Sequence, residues 1–169
     1  KRLASMREQQ ANVKRLVPTQ LTYGLRCHVV VRETEAEAWQ AADRLISRID
    51  PAVRQKFIET TASVDSEGQR RQLELAASAS LIVEPNLWSG VGLARSGVGV
   101  AIVGGPEQVE AKLRAYQALG ISTFILSGYP HLEECRRFGE MVMPLLRRPA
   151  DRARRAGVEA LSSGVAPVT

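Results

Sequence analysis

The chain has 169 residues, 44% of them apolar and 5% aromatic, with a net charge of +5 and a pI of about 9.7. That length fits one domain, and so few aromatics do not make the stacking platform that single-strand nucleic-acid binders use. No apolar run approaches the ~20 residues of a membrane helix, so neither nucleic acid nor membrane is expected as a partner.

Much of the charge is local. From residue 147 onward, Arg147, Arg148, Arg152, Arg154 and Arg155 stand against Asp151 and Glu159, five minus two, which is +3 of the +5. The body is nearly neutral, and residues 147–169 read as a basic, disordered tail. Cys27 and Cys135 are far apart and show no CxxC or metal spacing. A reduced, cytoplasmic setting is therefore expected, with no metal. The chain starts at Lys1 inside a helical pattern and shows no signal peptide, so further residues upstream are expected.

Leu3 to Leu16 reads as a polar helix that Pro18 stops. Leu21 to Val31 follows, ending in Val29-Val30-Val31, a buried strand of the parallel type. Thr34 is an N-cap with Glu37 three residues on, a capping box. The helix it opens has Ala38, Ala41, Ala42, Leu45 and Ile49 as its apolar face. Residues 50 to 81 are helical but polar and read as an insertion; residues 50–95 as a whole are taken as insertion and mobile loop. "IVEPNLWSGVGLARSGVG" reads as irregular. Val100 to Val103 is a second buried strand, and Pro106 opens the next helix, with Gly120 as its C-cap. "ISTFILSG" is a third strand with a buried Phe124-Ile125-Leu126 run, and "HLEECRRFGEMVMPLL" a third helix.

Strands alternating with helices of about a dozen residues predict βαβ units and a parallel sheet, an α/β fold. The glycine stretches do not make a dinucleotide fingerprint: in "GVGLAR" and "GVGVAI" the third glycine is Arg95 and Ile102. No GxxxxGK[ST] or GxSxG motif is present.

In parallel α/β folds the site lies at the carboxyl ends of the strands. Arg26 and His28 are two apart, hence on one side of the first strand. As a pair inside an apolar strand they either line a pocket or form a structural pair satisfied by neighbouring carboxylates, and the residues alone leave both readings open. Arg95 lies in the glycine-rich loop, where a solvated arginine is the simpler reading. Tyr129 sits at the tip of the third strand, where function is favoured over a surface tyrosine. His131 reads as an early helix residue without a chemical role. Cys27 alternates away from Arg26 and His28 and packs as a small apolar group. Two guanidiniums can hold an anion, and Tyr or His can move a proton. With no carboxylate pair and no metal cluster, a cofactor is expected to do the hard chemistry.

Three blocks, "GLRCHVVVRETEAEAWQAADRLI", "PNLWSGVGLARSGVGVAIVG" and "LSGYPHLEE", resemble the alkanesulfonate monooxygenases of the luciferase-like flavin monooxygenase family, over roughly Gln20 to Leu146. The resemblance implies the C-terminal part of a (β/α)8 TIM barrel, residues 1–146, with strands six, seven and eight and an insertion before strand seven. It implies oxidation of the sulfonate-bearing carbon to an aldehyde, with release of sulfite. Reduced FMN from an NAD(P)H-dependent flavin reductase, together with O2, would drive it. Arg26 and His28 match the family's RxH strand, Arg95 its loop arginine and Tyr129 its SGYPH block. Arg26 and Arg95 would hold the sulfonate or peroxyflavin anions; Tyr129 and His28 would hydrogen-bond the intermediate and assist proton transfer. Most flavin contacts would lie outside this chain, and a homo-oligomer is implied.

A barrel needs about 250 residues, so the isolated chain is expected to be inactive and to leave raw strand edges. Another luciferase-like monooxygenase, acting on a sulfone, an alkane or an organosulfur heterocycle, is the alternative within enzymes. A non-catalytic half-barrel remnant is the alternative outside them.

Overall fold

The computed structural model describes residues 2–12, 21–50, 52, 55, 59, 81–94 and 99–147. Most of the expected insertion, the loop carrying Arg95 and the tail beyond Arg147 lie outside these residues.

In chain order the elements are α1 (Arg2–Asn12), β1 (Tyr23–Val31), α2 (Glu35–Ile46), β2 (Ile82–Glu84), β3 (Leu87–Trp88), α3 (Val91–Ala94), β4 (Ala101–Gly104), α4 (Pro106–Ala118), β5 (Ile121–Ser127), α5 (His131–Arg137), a π-helical segment (Phe138–Val142) and α6 (Met143–Leu146). The five strands form one sheet in the order β2-β3-β4-β1-β5. β1 pairs in parallel with β4 on one side and β5 on the other. β2 and β3 are antiparallel to each other, and β3 is antiparallel to β4.

β1 is central because its sequence suits nothing else. Val29, Val30 and Val31 need cover on both faces, and both faces receive it. On one side Val30, Ala101, Val103 and Trp88 pack against Ala38, Ala41 and Ala42 of α2. On the other, Cys27, Val29, Val31, Leu87 and Ile102 pack against Val109 and Leu113 of α4 and Val142. The three alanines remove side-chain bulk from one face of α2, which brings the helix axis close to the sheet.

Consecutive barrel strands would lie side by side with all helices on one face. Here β1 lies between the two parallel strands that follow it, and α2 and α4 cover opposite faces. The described residues thus form an open, two-sided α/β sheet and not the expected barrel arrangement. The chain moves one way along the sheet through α2 and the other way through α4. Opposite faces for opposite directions keep both crossovers the same hand.

The capping box is present: Thr34 Oγ1 accepts from Glu37 N at 3.2 Å, and Glu37 Oε2 accepts from Thr34 N at 3.1 Å. Pro106 is in the first turn of α4, and Gly120, at φ +98°, ends it. Gln108 Oε1 accepts from Gly105 N at 2.8 Å, closing the helix start that Gly105 cannot cap with a side chain. Glu35, at the head of α2, accepts from Gln108 at 2.7 Å, Asn86 at 3.2 Å and Trp39 at 3.3 Å. The Gln108 bond, followed by those from Trp39 and Asn86, holds its carboxyl below the usual carboxylate range. One carboxylate thereby ties α2 to α4 and to the β2–β3 turn.

Three expectations need correction. The stretch read as irregular contains the β2–β3 hairpin, whose turn places Asn86 at φ +60°; its strands are too short to show periodicity. The third helix is broken by the π-helical turn. Pro144 has no N–H to give to Glu140 and its ring crowds that carbonyl, and Met143 N reaches back to Phe138 O instead. The Phe124-Ile125-Leu126 run is not fully buried: β5 is the sheet edge, and Ile125 is 59% exposed.

Trp88 is the largest fully buried side chain among the described residues. Its indole lies directly against Gly90, where a Cβ would overlap the ring. Gly90→Ala is therefore expected to destabilise the fold by about 1–3 kcal/mol, the usual penalty for overpacking. A urea titration followed by tryptophan fluorescence reads this as a lower midpoint at unchanged slope.

Candidate active site

The carboxyl end of β5 lies beside the middle of β1, with Arg26 opposite Ile125 and His28 opposite Ser127. Strand alternation puts Arg26, His28 and Val30 on one face. α2 roofs Val30. Arg26 emerges into solvent, and no described residue forms a hydrogen bond or ion pair with it. His28 lies between these extremes and is 2% exposed.

Ser127 Oγ stands 3.2 Å from His28 Nε2 and 3.5 Å from Nδ1. An oxygen nearly equidistant from both nitrogens steadies the ring without choosing its tautomer. The Tyr129 ring stacks on His28, with centroids 5.3 Å apart and planes 25° apart. His131 meets Tyr129 edge-on at 4.7 Å. The order is therefore a buried imidazole, a half-buried phenol and an exposed imidazole.

The turn that presents Tyr129 is held from beneath. A Cβ on Gly128 would fall 2.7 Å from Glu134 Cγ and 3.0 Å from Val29 O, so this position has room only for hydrogen. Glu134 N donates to Pro130 O at 3.0 Å, starting α5. The Glu134 carboxylate is buried and paired with Arg32 at 2.8 and 3.1 Å and with Arg137 at 2.8 Å. Arg32 directly follows β1, the strand that carries His28.

Of the four residues singled out by sequence, the structure brings His28 and Tyr129 into contact. It sets Arg26 on the same face but in solvent, not in a closed pocket. Arg95 lies outside the described residues. Three neighbours were missed. Ser127 was legible from two-residue alternation once β1 and β5 are placed in parallel. His131, read as without a role, has its ring on Tyr129. Glu134 gave no local signal, because its partner Arg32 is 102 residues away.

Cys27, behind His28 on the opposite face, is fully buried, and Cys135 is exposed. Burial pushes the Cys27 thiol up from its ordinary 9.0 to about 12. Burial and the nearby Glu84 likewise push Tyr116 from 10.0 to about 12. Among the described residues no group of His, Cys, Asp and Glu could hold a metal ion, and no helix is long and apolar enough to cross a membrane.

Parallel strands that bring together a buried histidine, a tyrosine stacked on it and, on the same face, an exposed arginine define an α/β protein. The family model described as luciferase-like monooxygenase matches residues 1–123, which includes β1 and β4 and ends within β5. The chain belongs to the luciferase-like monooxygenase family. The family supports monooxygenase activity, and its members typically bind flavin.

The thiols make a direct check of this packing. Iodoacetamide at pH 8 is expected to alkylate Cys135 and spare Cys27 in the native chain, and to label both in urea, read by intact mass. The folded pKa of Cys27 lies above its unfolded value, so its contribution is fully present below about pH 9 and is lost as pH rises toward 12. Stability is expected to fall across that window, and to fall less in Cys27→Ala.

Proposed function

We propose that this chain serves an FMNH2-dependent alkanesulfonate monooxygenase. The observation that carries the proposal is the Tyr129 ring stacked on buried His28 where the end of β5 meets the middle of β1, with Arg26 on the same face. The resemblance of three separated blocks to alkanesulfonate monooxygenases supports the substrate class.

The residues present fit anionic ligands. Arg26 offers an exposed guanidinium that no described residue engages, suited to a sulfonate or to an FMN phosphate. When bound, reduced FMN, regenerated by a separate NAD(P)H-dependent reductase, supplies two electrons to O2, so that RCH2SO3− becomes RCHO and HSO3− with water as the other product. Arg26 holds the sulfonate by a charge-assisted hydrogen bond. The Tyr129 hydroxyl donates to oxygen atoms that gain negative charge. His28, shielded from water, accepts or returns a proton, and its low exposure keeps that proton from exchanging freely with solvent. Arg95, from the glycine-rich loop, is proposed as the second cation.

The test is sulfite release by the purified protein carrying this chain, supplied with FMN, a flavin reductase, NADPH, O2 and an alkanesulfonate. Sulfite and aldehyde are expected in equal amounts. Tyr129→Phe and His28→Asn are expected to lower kcat by about 10²–10⁴, the usual contribution of a positioned proton donor or acceptor. Arg26→Ala is expected to raise KM for the sulfonate about tenfold, the lower end for a charge-assisted bond because the site is wet. Aldehyde or alcohol formed from a different substrate without sulfite would move the protein to another luciferase-like activity.

A further inference from the structure

We propose that Glu134 is a positioning residue, one that sets the Tyr129 ring over His28 by locking the start of α5 to the end of β1. The chemical importance of that stack rests on the function proposed above; the clamp itself does not.

Glu134 is a charged side chain only 4% exposed. A buried carboxylate demands compensation, and removing its partners is strongly destabilising. Here the compensation comes from two directions. Arg32 Nη2 and Nη1 approach the two carboxylate oxygens at 2.8 and 3.1 Å, a two-pronged grip that fixes orientation as well as distance. Arg137, one helical turn along α5, adds a bond at 2.8 Å. Arg32 Nη1 also donates to Val31 O at 2.6 Å, so the fork is itself held against the end of β1.

The stem of Glu134 is equally confined. It lies against Gly128, where a Cβ would be 2.7 Å from its Cγ, and its backbone N–H is bonded to Pro130 O at 3.0 Å. Gly128 therefore rests on the Glu134 stem, and the Tyr129 ring that follows it stacks on His28. Through Arg32, the carboxylate ties the start of α5 to the end of the strand carrying His28. Its partners differ: the Arg137 side chain is 38% exposed and that of Arg32 20%, and Arg137 joins only residues already on the same helix. Arg32 spans the two elements and should dominate.

The chain contains only two histidines, His28 and His131, so its imidazole NMR signals are readily assigned. In the 169-residue chain, the nuclear Overhauser cross-peak between the Tyr129 and His28 rings, and the ring-current shift of the His28 protons, report the stack without any cofactor. Glu134→Gln keeps shape and removes charge. It is expected to abolish the cross-peak and move the His28 shifts toward unfolded values, while circular dichroism stays native. A wild-type cross-peak in Glu134→Gln would overturn the proposal. Should that variant fail to fold, Arg32→Lys and Arg137→Ala decide instead. Arg32→Lys is expected to weaken the cross-peak and Arg137→Ala to leave it; equal effects, or none from Arg32→Lys, would refute the clamp. In the sulfite assay, Glu134→Gln is expected to lose about 100-fold in kcat with little change in KM, as for a misplacement of about 1 Å. If Tyr129→Phe proves fully active, the catalytic reading of Tyr129 fails while the cross-peak still judges the clamp.

Discussion

The constraint on which the structure depends is that β1 must be covered on both faces. Three consecutive valines leave no face for water, and each face recruits a different helix. α2 arrives with alanines and α4 with Val109 and Leu113. Because both neighbours of β1 are parallel strands, its backbone is paired on both sides. His28 inherits this environment. It is buried because it sits inside this apolar strand, directly before the valine run.

The candidate site then follows from where cover stops. α2 roofs Val30 and ends its protection near His28, so successive residues on one face pass from dry to wet. Tyr129 lies over His28 from the end of β5, and the charge cluster beneath Gly128 keeps it there. Two kinds of force therefore act at one place: apolar burial fixes the strand, and a desolvated carboxylate between arginines fixes the turn. The family relationship gives this geometry a chemical setting of monooxygenation.

Much of this was legible in the residues. Val29 to Val31, the Thr34–Glu37 capping box, Pro106 at a helix start and Gly120 at its end are local signals, and the structure shows each. The same-face relation of Arg26 and His28 follows from strand alternation alone. What was not legible is non-local. The order of strands depends on which faces helices choose, and three apolar strands read the same in a barrel or an open sheet. The two-residue strand β3 is too short to show a period. Arg32 and Glu134 are each unremarkable in sequence, and only the fold makes them partners. The π-helical turn had a visible cause in Pro144, but the apolar spacing on either side of it still reads as one continuous helix.

The difference in exposure between Arg26 and His28, two residues apart on one strand, has a consequence for selectivity. An anion held by Arg26 alone sits in high dielectric, where small ions screen it within a Debye length of about 8 Å at physiological salt. Chloride or phosphate at cellular concentration would compete there on nearly equal terms. If Arg26 holds the anion as proposed, discrimination would come from the dry end of the same face, where an ion must surrender water and where only a molecule with an apolar body behind its charge gains by entering. A small inorganic anion has no such body. On the function proposed above, Arg26 would attract by charge without distinguishing, and the His28–Tyr129 end would filter by hydration.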